Sequence, residues 1–313
     1  MNMASPFISR LLVFTQRYRG RLLAISCTGL FTASISYHVF PEQTFRRLYQ
    51  SWSKGEPVEL SNKLQTLFQD VLQEACIASP SGYTPFAAFG FHPVSAGLPL
   101  LPGRCLIGIP ANYNTNEAGG PGIVDRVLLV NGKEVVWDSE IGAHLKASLI
   151  LSTEAQKFAL AREALYAQNN SPVIKASVAP ACLSGVCLCG VAVKQLLGIY
   201  SGPVVLRGLY NMGALLLGFV VYFLCDDAIS QWLDYRTDRQ VAAISKSYAQ
   251  GGLEFYDKIL ARNRSLRTLM GKQGETMYAP SGNLFPKHYF RVKHTPYTAR
   301  RHRIQQDLNI QGE

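Results

Sequence analysis

Residues 1–21 contain no Asp or Glu, and neither does the segment 287–303, although the chain carries 21 acidic against 31 basic residues. Apart from the proline-interrupted stretch 75–103, three further long runs, 22–41, 176–193 and 208–225, contain no formally charged residue at all. No pair of C-x-x-C motifs is present, there is no internal repeat, and none of the six histidines stands in an H-E-x-x-H motif. These absences exclude several classes. Without paired C-x-x-C there is no zinc ribbon or finger. Without repeats, neither a solenoid nor an inverted-repeat carrier has its sequence signature. A water-exposed helix keeps a charged face, so the three uncharged runs do not belong on the surface of a soluble domain.

The uncharged runs are 20, 18 and 18 residues long. At a helical rise of about 1.5 Å per residue each nearly matches the ~30 Å hydrocarbon core of a bilayer, which predicts three transmembrane helices. The first contains His38 and several hydroxyls, and the other two are rich in Ala, Val, Leu and Gly. A cleaved secretory signal fits the first run less well, because its apolar stretch exceeds the ~7–15 residues of a signal core and no clear A-x-A site follows. Ahead of it stand Arg10, Arg17, Arg19 and Arg21, with serines and apolar residues between them. This composition fits a mitochondrial transit segment continuous with an uncleaved anchor, and it also fits a cytosol-facing signal anchor.

Cys27, Cys182, Cys187 and Cys189 lie inside the predicted spans, so the seven cysteines do not form a disulfide framework. Cys182, Cys187 and Cys189 are a conceivable Cu(I) set, but cysteine is also a small hydrophobe that suits helix contacts in lipid, and packing is the simpler reading. No cofactor or metal is expected. The net charge of +10 is spread along the chain. No nucleic-acid-binding module accompanies it, so nucleic acid is not an expected partner. Acidic lipid head groups or an acidic partner suit it better, with Arg300 and Arg301 of the basic tail as candidate client or lipid contacts. A merely solvated tail is the plainer alternative.

These features predict a basic N-terminal segment (1–21), a first span (22–41), a soluble α+β part (42–174), a transmembrane hairpin (175–225) and a soluble helical part with a basic tail (226–313). The hairpin turn 198–205 is flanked by Lys194 and Arg207, and Asp226 and Asp227 follow the third span. By the positive-inside rule the N-terminal tip and this turn share the positive side, leaving both soluble parts opposite. Lys175 argues weakly the other way. Within the soluble parts, 61–75 has helical apolar spacing. The stretch 126–137 reads as a hairpin about Asn131-Gly132, and 105–113 as a strand before a loop. Thr153 and Gln156 stand at capping-box spacing. The stretch 240–270 is expected to form two helices broken at Gly251-Gly252, and 274–304 to be irregular. Two sequons begin at Asn169 and Asn263, where glycan would indicate insertion into the secretory pathway.

In "FALAREALYA" (158–167), Arg162, Glu163 and Tyr166 take the spacing of H-E-x-x-H. That motif supplies two imidazole ligands and a general base to zinc. A guanidinium has no lone pair to offer, and a phenol ionises only near pH ~10. Read alone, the segment is an ordinary helix face. In order along the chain, however, "TPFAAFG" (84–90), "LSTEAQKFALARE" (151–163), "DYRTDRQ" (234–240) and "HTPYTAR" (294–300) resemble segments of membrane zinc peptidases of the HtpX and CAAX prenyl protease type. This resemblance implies a degenerate peptidase-like body without metal ligands. Arg162, Glu163, Tyr166, Asp234 and Asp238 would mark its site, with an Arg162–Asp234 ion pair in place of zinc and Arg300 six residues after His294.

At whole-chain scale, "LFTASISYHVFPE" (30–42), "FHPVSAGLPLLP" (91–102), "LSTEAQKFALAREALY" (151–166), "APACLSG" (179–185), "GGLEFYDKIL" (251–260) and "YAPSGNLFPKHYFRVKHTPYTARR" (278–301) resemble the transmembrane protein 177 family. The resemblance implies a multi-pass, non-enzymatic protein of the mitochondrial inner membrane, where the positive-inside pattern would place the N-terminus in the matrix and the soluble parts in the intermembrane space. It further implies a role in cytochrome c oxidase subunit II biogenesis beside that subunit's membrane chaperone (the cytochrome c oxidase assembly protein 20 type) and copper-delivery factors. Small residues, among them Gly185 and Gly190, are the expected helix-contact points for a client. An active membrane zinc peptidase is the alternative function.

Overall fold

In the computed structural model of the chain, the second and third uncharged runs lie within long helices and the first does so up to Val39; the structure describes residues 6–310 except 54, 102–103, 115–127, 287–290 and 293. In chain order the elements are α1 (Pro6–Val39), α2 (Arg47–Tyr49), β1 (Trp52–Ser53), β2 (Glu56–Pro57), α3 (Asn62–Glu74), β3 (Tyr83–Ala88), β4 (Val94–Gly97), β5 (Cys105–Pro110), β6 (Leu129–Val130), β7 (Lys133–Glu134), α4 (Glu140–Leu149), α5 (Thr153–Gln168), α6 (Ser171–Leu196), α7 (Val204–Ala242), α8 (Lys246–Met270), α9 (Lys272–Met277) and α10 (Tyr297–Ile310). Three helical segments, Arg17–Val39, Ser171–Leu196 and Val205–Ala242, are long and apolar enough to cross a membrane. The chain is an α+β membrane protein.

Packing divides it into two units, Met1–Ser36 with Val173–Asp226, and Tyr37–Pro172 with Asp227–Glu313. In the first, the Cys27 thiol lies 3.2 Å from Ser184 Oγ, and Gly218 sits against the Val186 side chain. Most apolar side chains of this unit remain exposed, among them Leu215, Leu216, Leu217 and Phe219. They present a lipid-compatible surface.

The second unit holds both soluble pieces around one core. Ser61 caps α3 by accepting from Leu64 N–H, and Leu64, Leu67, Phe68, Val71 and Leu72 are buried, as their spacing predicts. The sheet order is β3-β5-β4, with β5 parallel to β3 and antiparallel to β4. Asn131 and Gly132 have φ of 55° and 75°, the pair of positive values that a two-residue hairpin turn needs, although β6 and β7 are each only two residues long.

Several expectations are corrected. The helix holding the third uncharged run does not stop after Cys225 but continues as α7 to Ala242. The cap of α5 is Ser152, which accepts from Ala155 N–H, while Gln156 donates to the carbonyls of Tyr113 and Leu151. Gly251-Gly252 does not break a helix. A Cβ on Gly251 would stand 2.3 Å from the Glu154 carbonyl oxygen, and one on Gly252 2.6 Å from the Phe158 ring. These glycines therefore bring α8 close against α5, and the break falls instead between Ala242 and Lys246. The tail is not irregular throughout, because α9 and α10 lie within it.

Candidate functional site

The start of α5 is secured by Glu254, whose carboxylate accepts from Ser152 N–H at 3.0 Å and from its hydroxyl at 2.5 Å. About three turns on, Arg162 fans its guanidinium across three carboxylates. Nη2 donates to Asp234 at 2.7 Å, Nη1 to Glu163 at 2.9 Å and Nε to Asp238 at 3.2 Å. Asp234 and Asp238 stand one turn apart on α7 and so share a face. From α10, Arg300 donates through Nε and Nη2 to the two oxygens of Asp238, both at 2.6 Å, and its Nη1 lies 3.3 Å from Asp234. The Tyr256 hydroxyl on α8 donates to Asp238 at 2.9 Å, with the Arg300 guanidinium 4.9 Å from its ring centre. Ser95 Oγ on β4 donates to Glu163 at 2.6 Å.

Asp238 therefore receives Arg162, both donating nitrogens of Arg300 and the Tyr256 hydroxyl, which uses up the roughly four lone-pair directions of a carboxylate. The side chains of Asp238 and Arg300 are only 4% and 5% exposed. At this depth charged groups need partners, and these are of the short, bidentate kind. Burial works against the charge on Arg162, but the neighbouring Tyr256, Glu163, Asp234 and Asp238 more than offset it and hold its pKa above the ordinary value. Asp234 is pushed up by burial and pulled down further by Arg300, Arg162 and His294, leaving it below the usual range. For Glu163 burial prevails over Arg162 and Ser95, and its pKa is raised. Nearby on β5, Cys105 is pushed up to about 12 by burial and then by Glu163, so its thiol is protonated at neutral pH.

Chemically, the arrangement is a clamp. It joins β4, α5, α7, α8 and α10 through charge-assisted hydrogen bonds and presents its carboxylates to guanidinium rather than to metal. Among the described residues no group of three or more His, Cys, Asp or Glu side chains is placed to hold a metal ion. Arg162, Glu163, Asp234 and Asp238, the residues the peptidase resemblance singles out, lie together in one network. Tyr166, one turn beyond Arg162, is half-buried.

Arg300 was expected at a lipid or client surface. It is 4% exposed and committed to Asp238, so it cannot serve there. Its neighbour Arg301 lies elsewhere, paired at the surface with Asp257 at 2.6 and 3.0 Å. In the membrane unit nothing lies within 4 Å of a Cβ on Gly185, and the Gly190 carbonyl accepts from the Tyr210 hydroxyl at 3.3 Å. Of the basic tail, residues 287–290 and 293 lie outside the described residues, as does much of the segment between Pro110 and Leu151. The sequon residue Asn263 is 1% exposed and donates to the Gly282 carbonyl at 2.8 Å, so glycan there is incompatible with the fold. Ser95 and Tyr256 gave no signal in the sequence, because neither lies in a motif and their partners are 68 and 18 residues distant.

No family model matches the chain, and no solved structure matches it. Among curated proteins it is similar to transmembrane protein 177 of Xenopus laevis, 68% identical over 306 residues covering 98% of this chain and 99% of the relative. The protein of the same name from Danio rerio is 52% identical over 96% of this chain and 97% of its own length. That from Homo sapiens is 45% identical over 97% and 96% respectively.

Proposed function

The chain belongs to the transmembrane protein 177 family, and from that premise we propose that it is a non-enzymatic assembly factor of the mitochondrial inner membrane. It would support cytochrome c oxidase subunit II by stabilising that subunit's membrane chaperone complex. Its three long apolar helices make it a multi-pass membrane protein. The observation that carries the non-enzymatic reading is the saturation of Asp238 by Arg162, Arg300 and Tyr256. A catalytic zinc site needs about three lone-pair donors and an open position for water. Here two guanidiniums fill that position, and they are cationic at any working pH.

Holding is the activity left to such a molecule. The exposed apolar faces of α6 and α7 support it, with Gly185 and Gly213 as small residues where a partner helix can approach closely. The acid-free, arginine-bearing start of the chain supports mitochondrial delivery, and the positive-inside pattern supports a matrix tip with the soluble body in the intermembrane space. The identity of the client, its chaperone and the copper-delivery factors rests on the family resemblance.

A second reading keeps the same clamp in a metal-free peptidase-like body that binds unfolded membrane clients. It is favoured by Arg162 meeting Asp234 across 72 residues of sequence. A photoreactive residue at Leu188 in intact mitochondria tests the first reading. Crosslinks to subunit II or its chaperone are expected, and crosslinks only to unrelated nascent membrane proteins would favour the second. Proteolysis that disappears on chelation, or on Glu163→Gln, would overturn both.

A further inference from the structure

A second polar site lies in the body apart from the clamp. A cavity lined by Phe91, His92, Asn112, Phe255, Lys258 and Arg262, among others, measures about 10 Å³ to the centres of a water-sized sphere. That is room for one small species. Among the described residues no acidic side chain lines it. Arg262 is only 8% exposed, yet its hydrogen bonds go to the side-chain oxygen of Asn263 alone, at 3.0 and 3.4 Å, and its guanidinium lies 5.4 Å from the Phe91 ring centre. No carboxylate pairs with it among the described residues. Every buried guanidinium of the clamp has acids around it, so Arg262 is the exception that needs an explanation. Across the cavity, His92 Nε2 is wholly buried and has no hydrogen-bond partner among the described residues. Lys258, whose ammonium donates to the Ala147 carbonyl at 2.7 Å, adds a further positive charge.

We propose that this cavity binds a single halide ion, chloride under physiological conditions, between the Arg262 guanidinium and the His92 Nε2–H. The ion supplies the negative charge that the buried guanidinium lacks and accepts a hydrogen bond from the imidazole nitrogen that has no partner among the described residues. The small free volume favours a monatomic anion over phosphate and carboxylates, which bring several heavy atoms. Two electrostatic observations agree. His92 is held well below its ordinary pKa by burial and then by Arg262, Arg162 and Arg300, so the ring is neutral and sits in positive potential. Arg262 is lowered by burial, and among the described residues Tyr297, Tyr278 and Tyr113 act against that, with no acid beside them. A bound halide would tie the segment before β4 to α4 and α8, the elements from which the cavity is built. This site stands independently of the assembly role proposed above.

The test uses the full chain in detergent at constant ionic strength, with gluconate exchanged for chloride or bromide. A saturable rise of a few degrees in Tm with either halide is expected, because a ligand bound only by the folded state stabilises it. Arg262→Gln is expected to abolish that rise while leaving the Tm in gluconate unchanged or higher. Equal Tm in chloride and gluconate would mean a water-filled cavity and would overturn the proposal. So would a halide response that persists in Arg262→Gln. If that variant does not fold, anomalous scattering from bromide-grown crystals of the unaltered protein decides the matter, since a bromide peak within hydrogen-bonding reach of Arg262 and His92 is required.

Discussion

In the membrane unit many apolar side chains face outward, Leu196 at 84% exposure and Leu216 at 65%, while in the body a few charged ones are turned inward, Arg300 at 4% and Asp238 at 3%. One unit expects a hydrocarbon solvent and needs no counter-ions. The other excludes water and must satisfy every charge it buries. The same side-chain type can therefore mean opposite things a residue apart. Arg300 and Arg301 are neighbours on α10, yet one closes a buried network and the other makes an exposed pair with Asp257.

This contrast is sharpest at Arg300. Arg300→Ala strips Asp238 of two hydrogen bonds and leaves a buried carboxylate under-compensated, so a loss of about 3–5 kcal/mol in body stability is expected, read by chemical denaturation of the detergent-solubilised chain. Leu216→Asp should hardly move that denaturation curve, yet cost about 3 kcal/mol in membrane insertion, measured in a translocon insertion assay. If it unfolds the body as severely as Arg300→Ala does, the division of labour between the units is wrong.

A smaller effect concerns pH. The raised Glu163 favours folding below its unfolded value and loses that contribution as pH rises through its folded one. The lowered Asp234 does the reverse, favouring folding above its unfolded value and losing this as pH falls through the lowered one. Glu163→Gln should therefore match the unaltered protein in acid and equal or exceed it at neutral pH. Asp234→Asn should flatten the acid limb of the stability profile. Opposite slopes would show that the two carboxylates have been assigned the wrong way round. Smallest of all, Arg301→Ala should cost under ~1 kcal/mol and less at high salt, as exposed pairs do.

Much of this was legible in the sequence where one local rule acted alone. The three long apolar helices, the buried face of α3 and the Asn131-Gly132 turn all follow from composition or period within a single segment. The meeting of Arg162 with Asp234 was legible only through the order of weak motifs along the chain. Other features depended on neighbours distant in sequence. Glycine serves equally as a helix breaker and as a point of close approach, and only the Glu154 carbonyl, nearly a hundred residues away, decides between them at Gly251. Helix α10 escaped notice because its buried face carries Arg300 beside Ile304, so hydrophobic periodicity is missing where packing is tightest. Tyr256 and Ser95 are ordinary residues until the carboxylates of α7 and α5 reach them.

The clamp also imposes an order of events. Its first cation, Arg162, is synthesised before the transmembrane hairpin, while Asp234, Asp238, Tyr256 and Arg300 come after it. None of the contacts across that gap can form until α6 and α7 have been threaded and the second half of the chain has returned to the side where the first half waits. Closure of the network therefore reports that both halves of the chain have been made and brought together, and a chain stalled midway would leave Arg162 with Glu163 alone of its three carboxylates.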